Sequence, residues 1–289
     1  MDFYLTALLQ GLCFSALALG IYISMKIFNI PDITTDGSYT LGGAVTGVML
    51  TQHQSPYIIL PAVIIAGGVA GALTGLIHTK LKINALLAGI LVMYGLYSVN
   101  LTILGRSNLP LINVPSLFSL LDLVTDPNQN TFWILAVFVI VITFLIGYLL
   151  KTDFGIAMRA TGNSESMIRA LGVNTDRMKI TGLALANALT ALSGYLIVQF
   201  QGFADISMGI GIVIVGLGSV IIAETLINWF KITSVWLSLV LVLVGAVVFQ
   251  LVLAFTLAIG VDANLLKIVT AGFVLLIVGL PRLSLLKAS

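Results

Sequence analysis

The chain has 289 residues, of which 59% are hydrophobic and 8% charged, with a formal net charge of +2. Soluble domains carry roughly 25% charged residues, so a water-surrounded globule is excluded. What remains is an integral membrane protein with lipid around it, and no nucleic-acid partner is expected.

The first segment, "FYLTALLQGLCFSALALGIYI", has the roughly 20 residues needed to cross a bilayer and no basic leader or small-residue cleavage site, so it reads as a retained span. Further apolar runs complete a set at 4–27, 38–51, 57–79, 84–105, 131–150, 178–200, 207–228, 233–257 and 263–281. The expected fold class is an all-α polytopic membrane protein of about nine apolar segments, forming a single transmembrane domain over 1–289. The second run is short and either spans or re-enters. Lys and Arg concentrate on the cytoplasmic side of membrane proteins. With the N-terminus outside, Lys26, Lys80, Lys82, Lys151, Arg159, Arg169, Arg177, Lys179, Lys231, Arg282 and Lys287 lie inside, and only Arg106 and Lys267 outside. The C-terminus is then cytoplasmic. The stretch 106–130 contains Pro110, Pro115 and Pro127 and belongs on the outer face, as a cap over an entrance or as an interfacial connector.

Two passages echo each other. Gly11 corresponds to Gly182, the triplet Asp32, Ile33, Thr34 to Asp205, Ile206, Ser207, and Leu86, Leu87 to Leu265, Leu266, always in the same order. Segments 1 to 4 (4–105) then correspond to segments 6 to 9 (178–281), with segment 5 as a linking span, and the halves form an inverted repeat. Broken helices are expected near Asp32 and Asp205, where Pro31 disfavours helix at Ile30 and glycines follow both sites. A side-chain oxygen of Asp36 or Ser38 is placed to cap the run after the first break. A tight turn between two spans is the alternative.

Eight charged residues fall between Lys151 and Lys179, in a loop placed in the cytoplasm (151–177). Within it "NSESMIRALG" reads as a two-turn helix: Asn163 as cap, Ser164 and Glu165 in the first turn, Arg169 four residues after Glu165, and Gly172 at a left-handed end. Met167, Ile168 and Leu171 share a face. So short a helix is not stable alone, so it must pack on something: a partner protein or the lipid headgroups. Asn174 and Asp176 start the helix that follows.

The passage "TDFGIAMRATGNSESMIRALGVNTDRMKITGLALANALTALSGYL", continued by "DISMGIGIVIVGLGSVIIAETL", resembles the signature region of ABC-transporter permeases of the branched-chain amino acid and ribose type. Phe154, Gly155, Arg159, Ala160, Leu171 and Gly172 meet that pattern. The N-terminal half, with "IPDITTDGSYTLGG" and "INALLAGILVMYGLYSVNLTILGR", is similar to a bacterial subgroup associated with tryptophan or tyrosine uptake. The resemblance implies a bacterial inner-membrane importer subunit with no catalysis of its own. Its coupling helix would dock a cytoplasmic ABC ATPase dimer, an extracytoplasmic substrate-binding lipoprotein would deliver the solute, and a second permease copy would complete the pore. One departure is "LGSVIIAETL", where relatives usually carry a glycine pair.

The chain has no GxxxxGK[ST] phosphate loop, so ATP and Mg²⁺ are expected on the partner and no cofactor on this chain. His53, His78 and Cys13 have no metal-ligand spacing. Polar groups inside spans are costly and mark either pathways or interhelical hydrogen bonds. The pathway candidates are Asp32, Thr34, Asn84, Tyr94, Tyr97, Asn100, Asn187, Asp205 and Ser207, and Gln199, Gln250 and Asp36 stand near them. Glu224 is expected to pair with a basic loop. Gly67, Gly71 and Gly75 form a close-approach ladder, within one subunit or across a dimer seam. An ion-gradient-driven secondary transporter is the competing reading.

Overall fold

The structure, a computed structural model, describes residues 2–286 apart from 113, 122–123 and 263–264. Lys287 and the first two residues of the last predicted segment lie outside the described residues. The helices are α1 (Asp2–Ile21, prolonged by a π-helical turn Tyr22–Ile27), α2 (Thr34–Thr51), α3 (Pro56–Lys80), α4 (Ala85–Leu104), α5 (Leu117–Leu120) and α6 (Pro127–Lys151). After them come α7 (Asp153–Asn163), α8 (Glu165–Ala170), α9 (Thr175–Gln201), α10 (Ile212–Trp229), α11 (Val235–Ala258) and α12 (Leu266–Leu286). Two short strands, β1 (Asn108–Pro110) and β2 (Phe203–Asp205), pair antiparallel.

Among the described residues seven helices are long and apolar enough to cross a membrane: α1 with its π turn, α3, α4, α6, α9, α10 and α11. The protein is an all-α polytopic membrane protein. The count is below the nine runs expected because α2 opens on the polar "TTDGSYT" and α12 has only Leu266–Ile277 as a described apolar stretch. Packing nevertheless carries α2 alongside α4 for most of its length. Gly89 lies beside Thr34, Gly37 beside Met93 and Leu96, and Gly47 beside Leu109. The second run thus forms one continuous helix that packs along α4.

The centre of the bundle is α9, where every residue from Ala186 to Gln199 is buried. The small residues Ala186, Ala188, Ala191, Ser193 and Gly194 make this possible, because helices without bulky side chains approach until backbones touch. The Gly67, Gly71, Gly75 ladder faces α9: a Cβ at Gly71 would overlap the Leu183 carbonyl, and one at Gly75 would crowd Ile180. The ladder thus packs α3 within the subunit.

At both expected break sites the chain reverses between two helices, the tight-turn alternative, and no single span continues through either. Helix α1 is antiparallel to α9, with Cys13 opposite Ser193 and Gly20 opposite Ala186, whereas α2 runs parallel to α9, with Ser38 at Asn187 and Gly42 at Ala191. At the second break, residues 206–211 form turns, and α10 begins where it meets α2: Asp36 accepts hydrogen bonds from the amides of Gly211 and Val213, both at 2.9 Å. Asp36 therefore does not cap its own helix. The N-cap is Ile33, and Asp32, one residue before it, accepts from the Thr34 amide at 2.9 Å.

The stretch between α4 and α6 is held by β1 against β2 and by Leu117 and Phe118 of α5, both buried against α6 and α9. The Leu117 amide donates to Gln199 Oε1 at 2.8 Å. This segment packs as a connector on the bundle.

Candidate functional site

The polar loop forms an elbow of two helices where the sequence suggests one. Thr152 caps α7, its hydroxyl accepting from the Gly155 amide, and α7 runs to Asn163, so Asn163 closes this helix and does not open the next. The chain kinks at Ser164, and α8 is six residues long. Gly155 and Gly162 look like helix breakers, but both serve close packing. A side chain at Gly155 would strike the Leu149 carbonyl, and one at Gly162 the Ile27 carbonyl of the π turn. Of the motif residues, Phe154 is exposed, Ala160 half-buried, and Arg159 half-buried near Tyr22 and the Lys26–Glu224 ion pair. That ion pair links the π turn of α1 to α10, so Glu224 pairs with a helical lysine where a basic loop was expected.

Charge ties α8 to its neighbours. Glu165 meets Arg169 at 2.8 Å and Lys179 at 2.5 Å, Arg169 reaches Thr175 at 2.9 Å, and Lys80 of α3 reaches Asp176 at 3.4 Å. The hydrogen bond from Lys179 holds the Glu165 carboxyl below the usual carboxylate range despite partial burial, helped by Thr175 and Arg169. Gly172 takes the left-handed conformation (φ 86°), and Asn174 caps α9 by accepting from the Arg177 amide at 3.0 Å. The three apolar residues of α8 separate. Ile168 is 8% exposed and turned into the protein, while Met167 (62%) and Leu171 (69%) face outward. The outward apolar pair is therefore Met167 and Leu171.

A second site lies in the bundle. A cavity of about 330 Å³ is lined by Asp36, Gly37 and Thr40 of α2, Met93, Tyr94, Tyr97 and Asn100 of α4, and Ile206, Gly209 and Ile210 of the second break. Three of the nine pathway candidates, Tyr94, Tyr97 and Asn100, meet here. Asn100 is 1% exposed; its Nδ2 donates to the Gly37 carbonyl at 3.1 Å, and its Oδ1 has no partner among the described residues.

The other six candidates do not line the cavity. Asp32, Thr34 and Asn187 build a separate buried network: Asn187 Nδ2 donates to Asp32 Oδ2 at 2.6 Å, Ser38 donates to Asn187 Oδ1 at 2.7 Å, and Thr34 and Thr74 share a hydroxyl hydrogen bond of 2.7 Å. Asp32 is 2% exposed. Asn84 caps α4 by accepting from the Leu86 amide at 2.9 Å. Asp205 and Ser207 bond to each other, and Asn108 donates to Asp205 at 3.1 Å, so they brace the β1–β2 pair. Ser207 hydrogen bonding holds Asp205 below the ordinary carboxylate range. The seven lining residues absent from the candidate set, among them Asp36, Met93, Ile206 and Ile210, come from three segments brought together only by packing.

The family described as "Branched-chain amino acid transport system / permease component" matches residues 3–279. A tyrosine transport system permease protein of Clostridioides difficile is 38% identical over 94% of this chain and 88% of its own length. An uncharacterized protein of Rickettsia prowazekii is 36% identical over 96% of both chains. A branched-chain amino acid transport permease protein of Methanocaldococcus jannaschii, whose assignment there is given as probable, is 28% identical over 64% of this chain and 62% of its own. ABC permeases of this kind do not catalyse a reaction themselves, and they work with an ATPase and a binding protein. With the match spanning nearly all of the sequence, the chain belongs to the branched-chain amino acid transport permease family and is a multi-pass permease subunit of an ABC importer.

Proposed function

We propose that this chain forms the pathway for an amino acid, aromatic or branched-chain, delivered by an extracytoplasmic substrate-binding lipoprotein, and that the α7–α8 elbow is where the cytoplasmic ATPase dimer docks. Two copies of the chain enclose the pore in a bacterial inner membrane, with the N-terminus outside and the C-terminus inside, and ATP and Mg²⁺ stay on the ATPase. The relative named for tyrosine transport supports an aromatic substrate. The Tyr94, Tyr97 wall supports it independently.

The observation that carries the coupling role is the exposed Met167, Leu171 pair on a helix whose other sides are tied down. Load on α8 reaches α9 through Glu165–Lys179, α3 through Asp176–Lys80, and α1 through Gly162 against Ile27. A push there is passed to the cavity helices α2 and α4 through their packing on α9 and α3. Lys26, Lys80, Arg159, Arg169 and Lys179 gather at this end of the bundle, which supports placing it in the cytoplasm. The order of corresponding motifs, with one break after α1 and the other after α9, supports the inverted repeat.

The test is co-purification of the detergent-solubilised chain with its ATPase, comparing wild type with the Met167→Ser, Leu171→Ser double variant. The variant should remain monodisperse and lose the ATPase. Equal retention by both would reject the elbow as the docking element.

A further inference from the structure

The cavity places one carboxylate, one unpartnered amide oxygen and two tyrosines against a wall of Met93, Ile206 and Ile210. An ionised carboxylate offers about four acceptor positions. Asp36 uses two of them, one per oxygen, on the Gly211 and Val213 amides. Those amides belong to the start of α10, whose positive dipole end faces the carboxyl. They are not a counter-ion: among the described residues no Lys, Arg or His forms an ion pair with Asp36. Asn100 is constrained in turn. Its Nδ2 is committed to the Gly37 carbonyl, which fixes the amide so that Oδ1 is the acceptor left over. A buried acceptor without a donor calls for an explanation, and its residue, Asn100, lines the cavity next to the segment that carries Asp36.

Both open groups accept and neither donates. The complementary ligand group has several donors, no acceptor and a positive charge, which describes an ammonium. Tyr94 and Tyr97 add ring faces that attract a cation, and the remaining wall is apolar. We propose that this cavity is a subsite for a primary ammonium carried on an apolar or aromatic body, with Asp36 and Asn100 as its acceptors. The proposal rests on the reading of the chain as an amino acid importer and adds which end of the substrate this wall recognises. A substrate that keeps its ring and loses its charge is refused here.

The test uses the permease–ATPase complex with an Ile210→Cys reporter. Ile210 is exposed and lines the cavity, and Cys13, the one native cysteine, is fully buried, so a neutral maleimide reports the cavity. Alkylation is timed with tyrosine methyl ester, which keeps the ammonium, and with N-acetyltyrosine methyl ester, which lacks it. The ammonium ester should slow labelling several-fold and the acetylated ester should not. Asp36→Glu should keep the protection and Asp36→Asn should remove it, with ATPase retention showing that each variant is folded. Should Asp36→Asn lose the ATPase, Asn100→Leu replaces it and should weaken the protection. Equal protection by both esters, protection by neither, or protection that survives the folded Asp36→Asn variant overturns the subsite. ATP-dependent tyrosine uptake by the wild type is measured alongside. Intact uptake with charge-blind labelling defeats the subsite alone, whereas ammonium-selective protection without uptake of any amino acid defeats the transport reading and leaves the subsite standing.

Discussion

Asn187 joins Asp32, Ser38 and the Leu183 carbonyl, and shares the buried Asp32 carboxyl with Thr34, whose amide donates to its other oxygen. Asn187→Leu leaves both Asp32 and Ser38 without that partner, a loss of about 1–3 kcal/mol for unsatisfied buried groups. It should lower the melting temperature in detergent, and an unchanged value would show that the network is dispensable. Gly71→Ala makes the same kind of prediction for packing. The new methyl meets the Leu183 carbonyl, α3 and α9 must part, and overpacking of this sort costs about 1–3 kcal/mol. Thermal unfolding of the purified chain checks it. Asn187 was visible in the sequence as a polar residue inside a span; its partner was not, since Asp32 lies 155 positions away. Asp36 is a sharper case. Its position near the start of a helix suggests a local cap, yet its acceptors serve amides 175 and 177 residues further along the chain.

The elements divide by how local their causes are. Spans follow from apolar length, so α1, α3, α4, α6, α9 and α11 fall close to the runs read from sequence. Helix α7 was hidden because "DFGIAMRATGN" mixes polar residues with two glycines, which read as loop when their packing partners on α1 and α6 are unknown. The cap and stop of α8 were partly legible, through Glu165, Arg169 and Gly172, while the direction of its apolar residues depends on what lies beneath. This yields a contrast within one short helix. Ile168→Ser removes a buried side chain worth about 2 kcal/mol and should loosen the elbow, seen as faster proteolysis after Arg169 and Arg177, whereas Met167→Ser should leave proteolysis unchanged. Glu165→Gln tests the ionic tie. The Glu165 carboxyl is stabilised in its charged form, so its contribution is full at neutral pH and is lost as pH falls below about 4, the ordinary carboxylate range. At pH 7 the variant should therefore show the same increased cleavage that acidification produces in the wild type.

At the scale of the whole molecule, a central helix of small residues gathers α1, α2 and α3 around it and leaves one side of α4 open, where the cavity with Tyr94, Tyr97 and Asn100 lies. The elbow sits at the end of the bundle where Lys26, Lys80 and Arg169 form their ion pairs, tied to α1, α3 and α9, and the cavity helices α2 and α4 pack against α3, with α2 also against α9. Such an arrangement converts an external push into movement around a pathway and supplies no energy itself. The most direct measurement is uptake of labelled tyrosine into proteoliposomes that contain this chain, its ATPase and its binding protein, with ATP or ADP on the ATPase side and ion gradients collapsed by ionophores. The account predicts uptake with ATP, none with ADP, and no dependence on the gradients; uptake that proceeds without ATP and stops when a gradient is collapsed would contradict it.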